Sequence, residues 1–203
     1  MSGTFPATPV PRTVDVESDQ PVFVGRSNSG RRHARKIGAH LWRINLKFAP
    51  MFQPTFSKIW GFQMKNDLSE VFFYQYPLDN QGVGLDTETT VRVNQVGGVP
   101  AGATSVPLDG LAPSVVDKFV IGDFFTFASS AKMHQVVDNA NTDATGATVL
   151  TFRPETVDDL PDNDLLTVNQ PLFQVAFENP LQRYKTSNPE IYRYEADLIE
   201  AIL

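Results

Sequence analysis

Residues 42 to 48 run "WRINLKF": Trp42, Ile44, Leu46 and Phe48 alternate without a break with Arg43, Asn45 and Lys47. A strict period of two sends successive side chains to opposite faces, so this stretch is committed to a strand with one buried face and one wet face. A strand of that kind needs neighbours to pair with and a layer to cover its apolar side. From Asp86 onward the chain supplies further candidates. "TTVRVNQVGG", "TSVPLDG", "DKFVIGDFFTFASSAKMHQVVDN" and "GATVLTFRP" are short apolar runs divided by Gly, Pro and Asp, the spacing of a small all-β barrel or sandwich. Fifteen Pro and thirteen Gly in 203 residues fit many turns and short elements, and fifteen Phe supply apolar mass for a core.

Three Pro in the first twelve residues, with no periodic pattern, predict an extended arm over 1–24 that lies on a neighbour or stays mobile. "PVFVGR" is a short β-like run. After Pro50, the spacing of Phe56, Ile59, Trp60 and Met64 predicts a short helix, with Thr55 or Ser57 available as its cap and Gly61 weakening it. "EVFFYQYPL" is β-branched and aromatic, hence a strand. The Asp- and Pro-rich "RPETVDDLPDNDLL" marks a boundary. Beyond it "LTVNQPLFQVAFENP" gives one or two strands. In the last segment, Ile191, Tyr194, Leu198 and Ile202 fit one helical face, while "IYRYEADL" equally fits a strand. The candidate core comprises Trp42, Ile44, Leu46, Phe48, Trp60, Phe125 and Phe127.

Charge is unevenly distributed. Arg26, Arg31, Arg32, Arg35 and Lys36 place five cations in eleven residues that hold no acid, on a chain whose formal net charge is −6. Everything else therefore sums to −11. A nucleic-acid arm would interleave stacking aromatics, which this stretch lacks, and a pI of about 5.0 is unfavourable for bulk nucleic-acid binding. The stretch reads first as a subunit interface facing an acidic protein surface, and second as a solvated loop.

Signatures of chemistry are sparse. His33, His40 and His134 share no metal-site spacing. Asp158, Asp159, Asp162 and Asp164 put four carboxylates in seven residues, but without the ligand order of a calcium loop, so the cluster reads as a turn. "QVGGVPAGATS" lacks the Lys-Ser/Thr of a phosphate loop, and no nucleophile elbow occurs. Cysteine is absent, which removes disulfides, thiol nucleophiles and Cys-ligated metals. No catalytic residue, metal or cofactor is expected. No apolar run reaches the ~20 residues of a membrane helix, and the first residues do not form a secretory signal, so the expectation is a protein made and soluble in a cytoplasm.

Two segments together carry a resemblance. "RKIGAHLWRINLKFAPM", followed by a helix and "EVFFYQYPL", resembles the opening of bacteriophage tail-tip and baseplate proteins, with Arg35, Gly38 and Trp42 at the Arg-x-x-Gly-x-x-x-Trp positions. "VRVNQV…AGATSVPLDGL…FVIGDFFTFA…GATVLTFRP" is similar to the β-domain inserted in the same proteins, through Gly102 to Thr104, Gly122 and Asp123, and Gly146 to Pro154. The resemblance spans 25–160 and implies a distal tail protein. Such a protein is a structural, non-enzymatic virion subunit whose homo-oligomeric ring, expected to be a hexamer, joins the tail tube to the baseplate hub and receptor-binding parts. It further implies a mostly β fold with one or two short helices: a tail-tube-like split β-barrel or sandwich over 25–85 and 161–203, interrupted by a small β-barrel at 86–160. The long Pro-containing arm departs from the family pattern. Two other classes stand beside this one. A carbohydrate-binding β-sandwich would display exposed aromatics in a groove, and a hydrolase would bring scattered carboxylates together in space.

Overall fold

The structure is a computed structural model that describes residues 3–66, 70–77, 79–179, 183–187 and 190–202. It is mostly β and divides into two compact units, one formed by 1–72 with 175–201 and the other by 73–174 with the last two residues. The second unit is thus wider than the 86–160 insert expected from composition. The Asp-rich segment at 158–164 lies inside it rather than at its edge, because those acids hold turns together instead of linking domains.

In the first unit the alternating stretch forms β4 (Leu41–Lys47). It pairs antiparallel with β1 (Thr13–Asp19) on one side and with the long β15 (Ile191–Glu200) on the other. The register sets Val14 beside Leu46 and Val16 beside Ile44, with Ala196 and Leu198 across from the same two residues. Ile44, Leu46, Ala196 and Leu198 are consequently buried, and Arg43, Asn45 and Lys47 look outward with Asp15, Glu17 and Asp197. The sheet continues through β13 (Leu172–Phe177) to β6 (Phe72–Gln75), while β5 (Met51–Phe52) and β14 (Tyr184–Ser187) also pair with β15. The final segment is therefore a strand; its period-two burial of Tyr194, Ala196, Leu198 and Glu200 overrides the helical spacing also present.

One helix, α1 (Gln53–Lys65), covers the apolar side with Phe56, Ile59 and Gln63. Its N-cap is Phe52, without a side-chain cap, and Pro54 supplies a pre-set first turn; Thr55 and Ser57 lie inside the helix, where the Ser57 hydroxyl donates to the Gln53 carbonyl. Phe56 stacks on Tyr192 with centroids 4.6 Å apart, and the Tyr194 hydroxyl donates to Gln63 Oε1 at 2.7 Å. Trp42, Ile44, Leu46 and Phe48 are buried, whereas Trp60 is only half-buried, on the flank of the helix against Tyr184.

The expected N-terminal arm is not a free arm. Thr13–Asp19 is an edge strand of the first sheet, and Phe5 is 5% exposed among Phe48, Phe62 and Phe72. Burying a Phe side chain contributes about 1.5–3 kcal/mol, enough to hold a Pro-stiffened segment that loses little entropy on ordering.

The second unit is a nearly closed, barrel-like six-stranded sheet. Its order is β12 (Leu166–Thr167), β9 (Phe124–Phe127), β10 (Ser130–Val136), β11 (Thr148–Arg153), β8 (Ser105–Asp109) and β7 (Arg92–Val93). The Arg92–Leu165 bridge brings the last strand back beside the first. Phe119, Phe125, Phe127, Leu150 and Phe152 fill the interior. Tight turns replace long loops. At Gly146, with φ +81°, an added Cβ would lie 2.1 Å from the Leu111 carbonyl oxygen, so only glycine fits. Among the described residues no helix is long and apolar enough to cross a membrane.

Candidate functional site

The five cations of 26–36 fall on a β-hairpin of β2 (Val22–Arg26) and β3 (Arg32–Lys36), which forms a two-stranded sheet of its own. The turn is built locally. Ser27 N–H donates to the Arg31 carbonyl at 2.9 Å, Gly30 N–H donates to the Ser27 carbonyl at 2.8 Å, and Gly30 takes φ +78°. At the base, Ile37 N–H donates to the Pro21 carbonyl at 3.1 Å.

This hairpin has no core. Every residue of β3 is exposed, and so are Val22, Phe23 and Val24 of β2 and the neighbouring Ile37, at 40, 64, 49 and 66%. Arg26 stands directly across from Arg32, a like-charge pair that weakens the ladder. Arg26, Arg31, Arg32 and Arg35 have no ion-pair partner among the described residues, and Lys36 is exposed at the end of β3. A lone two-stranded hairpin is at best marginally stable in water; one with apolar side chains on both faces and opposed cations is a surface built to be covered.

The complementary charge lies in the other unit. Within 73–174 four Lys and Arg stand against thirteen Asp and Glu, while the first unit has thirteen against ten. Two of those four cations, Lys118 and Lys132, are themselves buried, Lys118 donating to Glu88 Oε1 at 2.5 Å and to the Val83 carbonyl at 2.9 Å. The surface of the second unit is accordingly acidic. The partition was legible in the sequence without the exact boundaries: the expected 86–160 insert already holds four Lys and Arg against ten Asp and Glu.

The other sequence candidates resolve into structure. Each of the four clustered carboxylates accepts from its own unit: Asp158 from Ser130 Oγ at 3.1 Å, Asp159 from Ala101 N–H at 2.8 Å, Asp162 from Gln95 N–H at 3.1 Å and Asp164 from Ser129 Oγ at 2.5 Å. No group of metal-ligating side chains occurs among the described residues. His134 is fully buried between Phe125, Phe127 and Phe152, its Nδ1 lying 2.9 Å from the Pro154 carbonyl oxygen. His40 bonds Ser18 at 2.8 Å and packs edge-on against Trp42, and His33 is exposed on the hairpin. Burial of Trp42 takes it away as a glycan-stacking platform, and Trp60 is engaged edge-on with Tyr184.

Compared with known proteins, the sequence matches no family model and no curated protein.

Proposed function

We propose that this chain is a self-assembling structural subunit, a ring protein of a bacteriophage tail tip or baseplate, whose basic hairpin docks on the acidic second unit of an adjacent copy. The observation that carries the reading is the hairpin at 22–37, which exposes four large apolar side chains and five cations and, among the described residues, forms a two-stranded sheet apart from the other two. Contact between a hairpin on one unit and an acidic face on another is heterologous, and a heterologous contact that closes gives a ring. The charges steer encounter and fix register, each exposed pair contributing roughly 0–1 kcal/mol; burial of Val22, Phe23, Val24 and Ile37 supplies the remaining affinity. The tail assignment draws on the likeness of 25–160 to tail-tip proteins and on a two-unit β architecture in which one unit interrupts the other.

The test is mass in solution by light scattering, with negative-stain images of the same sample. The wild-type chain is expected to form closed rings. The Arg31→Glu/Arg32→Glu/Arg35→Glu variant is expected to be monomeric with an unchanged circular dichroism spectrum, since none of the three side chains contacts the core. Rings from the triple variant would overturn the hairpin interface, and a wild-type chain that stays monomeric at every concentration would overturn self-assembly.

A further inference from the structure

On the outward face of the first unit's sheet most charges are paired. Arg43 is held by Asp19 at 2.8 Å and by Glu178, Lys47 lies 3.2 Å from Asp15, and Asn45 donates to Asp197. All of these except Asp19 line a groove of about 300 Å³. Past Asp197 the pairing stops. Arg12, Arg183, Lys185 and Arg193 converge on a larger hollow of about 790 Å³, and none of the four has an ion-pair partner among the described residues.

The arrangement is unfavourable as it stands. Lys185 of β14 and Arg193 of β15 are direct cross-strand partners, so their side chains leave the same face with like charges opposed. Glu195 and Asp197 are the carboxylates on the wall, and Asp197 is already engaged by Asn45. With all groups ionised the lining carries a net charge of +2. Phe48, Pro50, Asn179 and Tyr194 complete it, and the Tyr194 hydroxyl is turned to Gln63.

We propose that this hollow binds a compact, multivalent phosphate anion of the tripolyphosphate class. Three guanidinium groups offer planar forks of donors that match phosphate oxygens, and a lysine adds a mobile point charge. The volume falls within the range of small-molecule sites. An anion seated there offsets the repulsion between Lys185 and Arg193. An extended polyanion fits less well: a strand of nucleic acid running on over the sheet would also meet Asp15, Glu17 and Glu178 in the adjoining groove. The site is independent of the assembly reading, since no hairpin residue lines it.

Isothermal titration of the full chain with sodium tripolyphosphate tests the site. One saturable site per chain is expected. Its affinity falls about tenfold or more in Lys185→Ala/Arg193→Ala, as loss of charge-assisted hydrogen bonds predicts, and is unchanged in Arg31→Ala/Arg32→Ala/Arg35→Ala. The melting temperature of ligand-free Lys185→Ala is expected to equal or exceed that of the wild type, because a like-charge pair has gone; this separates lost binding from lost folding. Three results overturn the proposal: no saturable heat, equal weakening by the hairpin variant, which signals diffuse charge attraction, or tighter binding of a short single-stranded oligonucleotide than of tripolyphosphate.

Discussion

Tyr194 is 1% exposed and its hydroxyl donates to Gln63. Burial first, and the nearby Asp197 second, push its ionisation well above the ordinary tyrosine value of 10.0; burial, with Tyr76 adding to it, does the same to Tyr74. The folded chain keeps two protons that the unfolded chain releases, so this contribution to stability is complete below about pH 10 and declines as the pH rises beyond it. In an alkaline titration, tyrosinate absorbance from these two residues is expected to appear together with loss of near-ultraviolet circular dichroism; full ionisation of all five tyrosines in a still-folded protein would contradict it. At this scale the sequence was readable wherever a pattern repeated. The alternation from Trp42 to Phe48 foretold which side chains are buried, because a strand face is decided by neighbours two residues away. Trp60 was misjudged, since a helix flank depends on what packs beside it, and that is Tyr184, 124 positions further along the chain. The roles of Asp158 to Asp164 were equally invisible: their donors come from Gln95, Ala101, Ser129 and Ser130.

Among elements, α1 shows a residue working against its own helix. Gly61 lies in its exposed part, and a Cβ added there meets nothing within 4 Å. Gly61→Ala is expected to stabilise the protein by about 0.5–1 kcal/mol through the entropy of the unfolded chain, read as a raised denaturation midpoint at constant slope. The opposite holds at Gly146, where positive φ and the Leu111 carbonyl leave no room, and Gly146→Ala is expected to destabilise by at least about 1–2 kcal/mol. Element type was legible where one period dominated and ambiguous where two coexisted. In the last strand, Ile191, Tyr194, Leu198 and Ile202 satisfy a helix while Tyr194, Ala196 and Leu198 satisfy a strand, and pairing with Leu46 and Ile44 decides between them. Such pairing is information about another part of the chain. The basic stretch was recognised as an interface candidate from charge alone; that it folds as a hairpin follows from the facing of Val22–Arg26 and Arg32–Lys36 across a Ser-Asn-Ser-Gly turn.

For the whole molecule, the uneven sharing of charge between the units would make the proposed assembly depend on ionic strength. Screening shortens from about 10 Å at 0.1 M salt to about 3 Å at 1 M, so ring formation is expected to slow as salt rises while the apolar hairpin contacts keep finished rings intact. Light scattering after a salt jump distinguishes the two: a slower approach to the same final mass supports the reading, and a rate indifferent to salt contradicts charge steering. The boundaries between the units were misplaced from composition because neither lies at a Pro- or Asp-rich segment. They fall within β6 and β13, two apolar strands that pair with one another and that carry the chain into the second unit and back. That topology also sets an order of events during synthesis. The barrel of 73–174 is contiguous and has all its strands once residue 174 has emerged, whereas β15, which pairs with β4, β5, β13 and β14, is translated after every one of them. A nascent chain halted before Ile191 therefore has every strand of the second unit but lacks the strand that joins β4 to β13, so the first sheet is expected to close last.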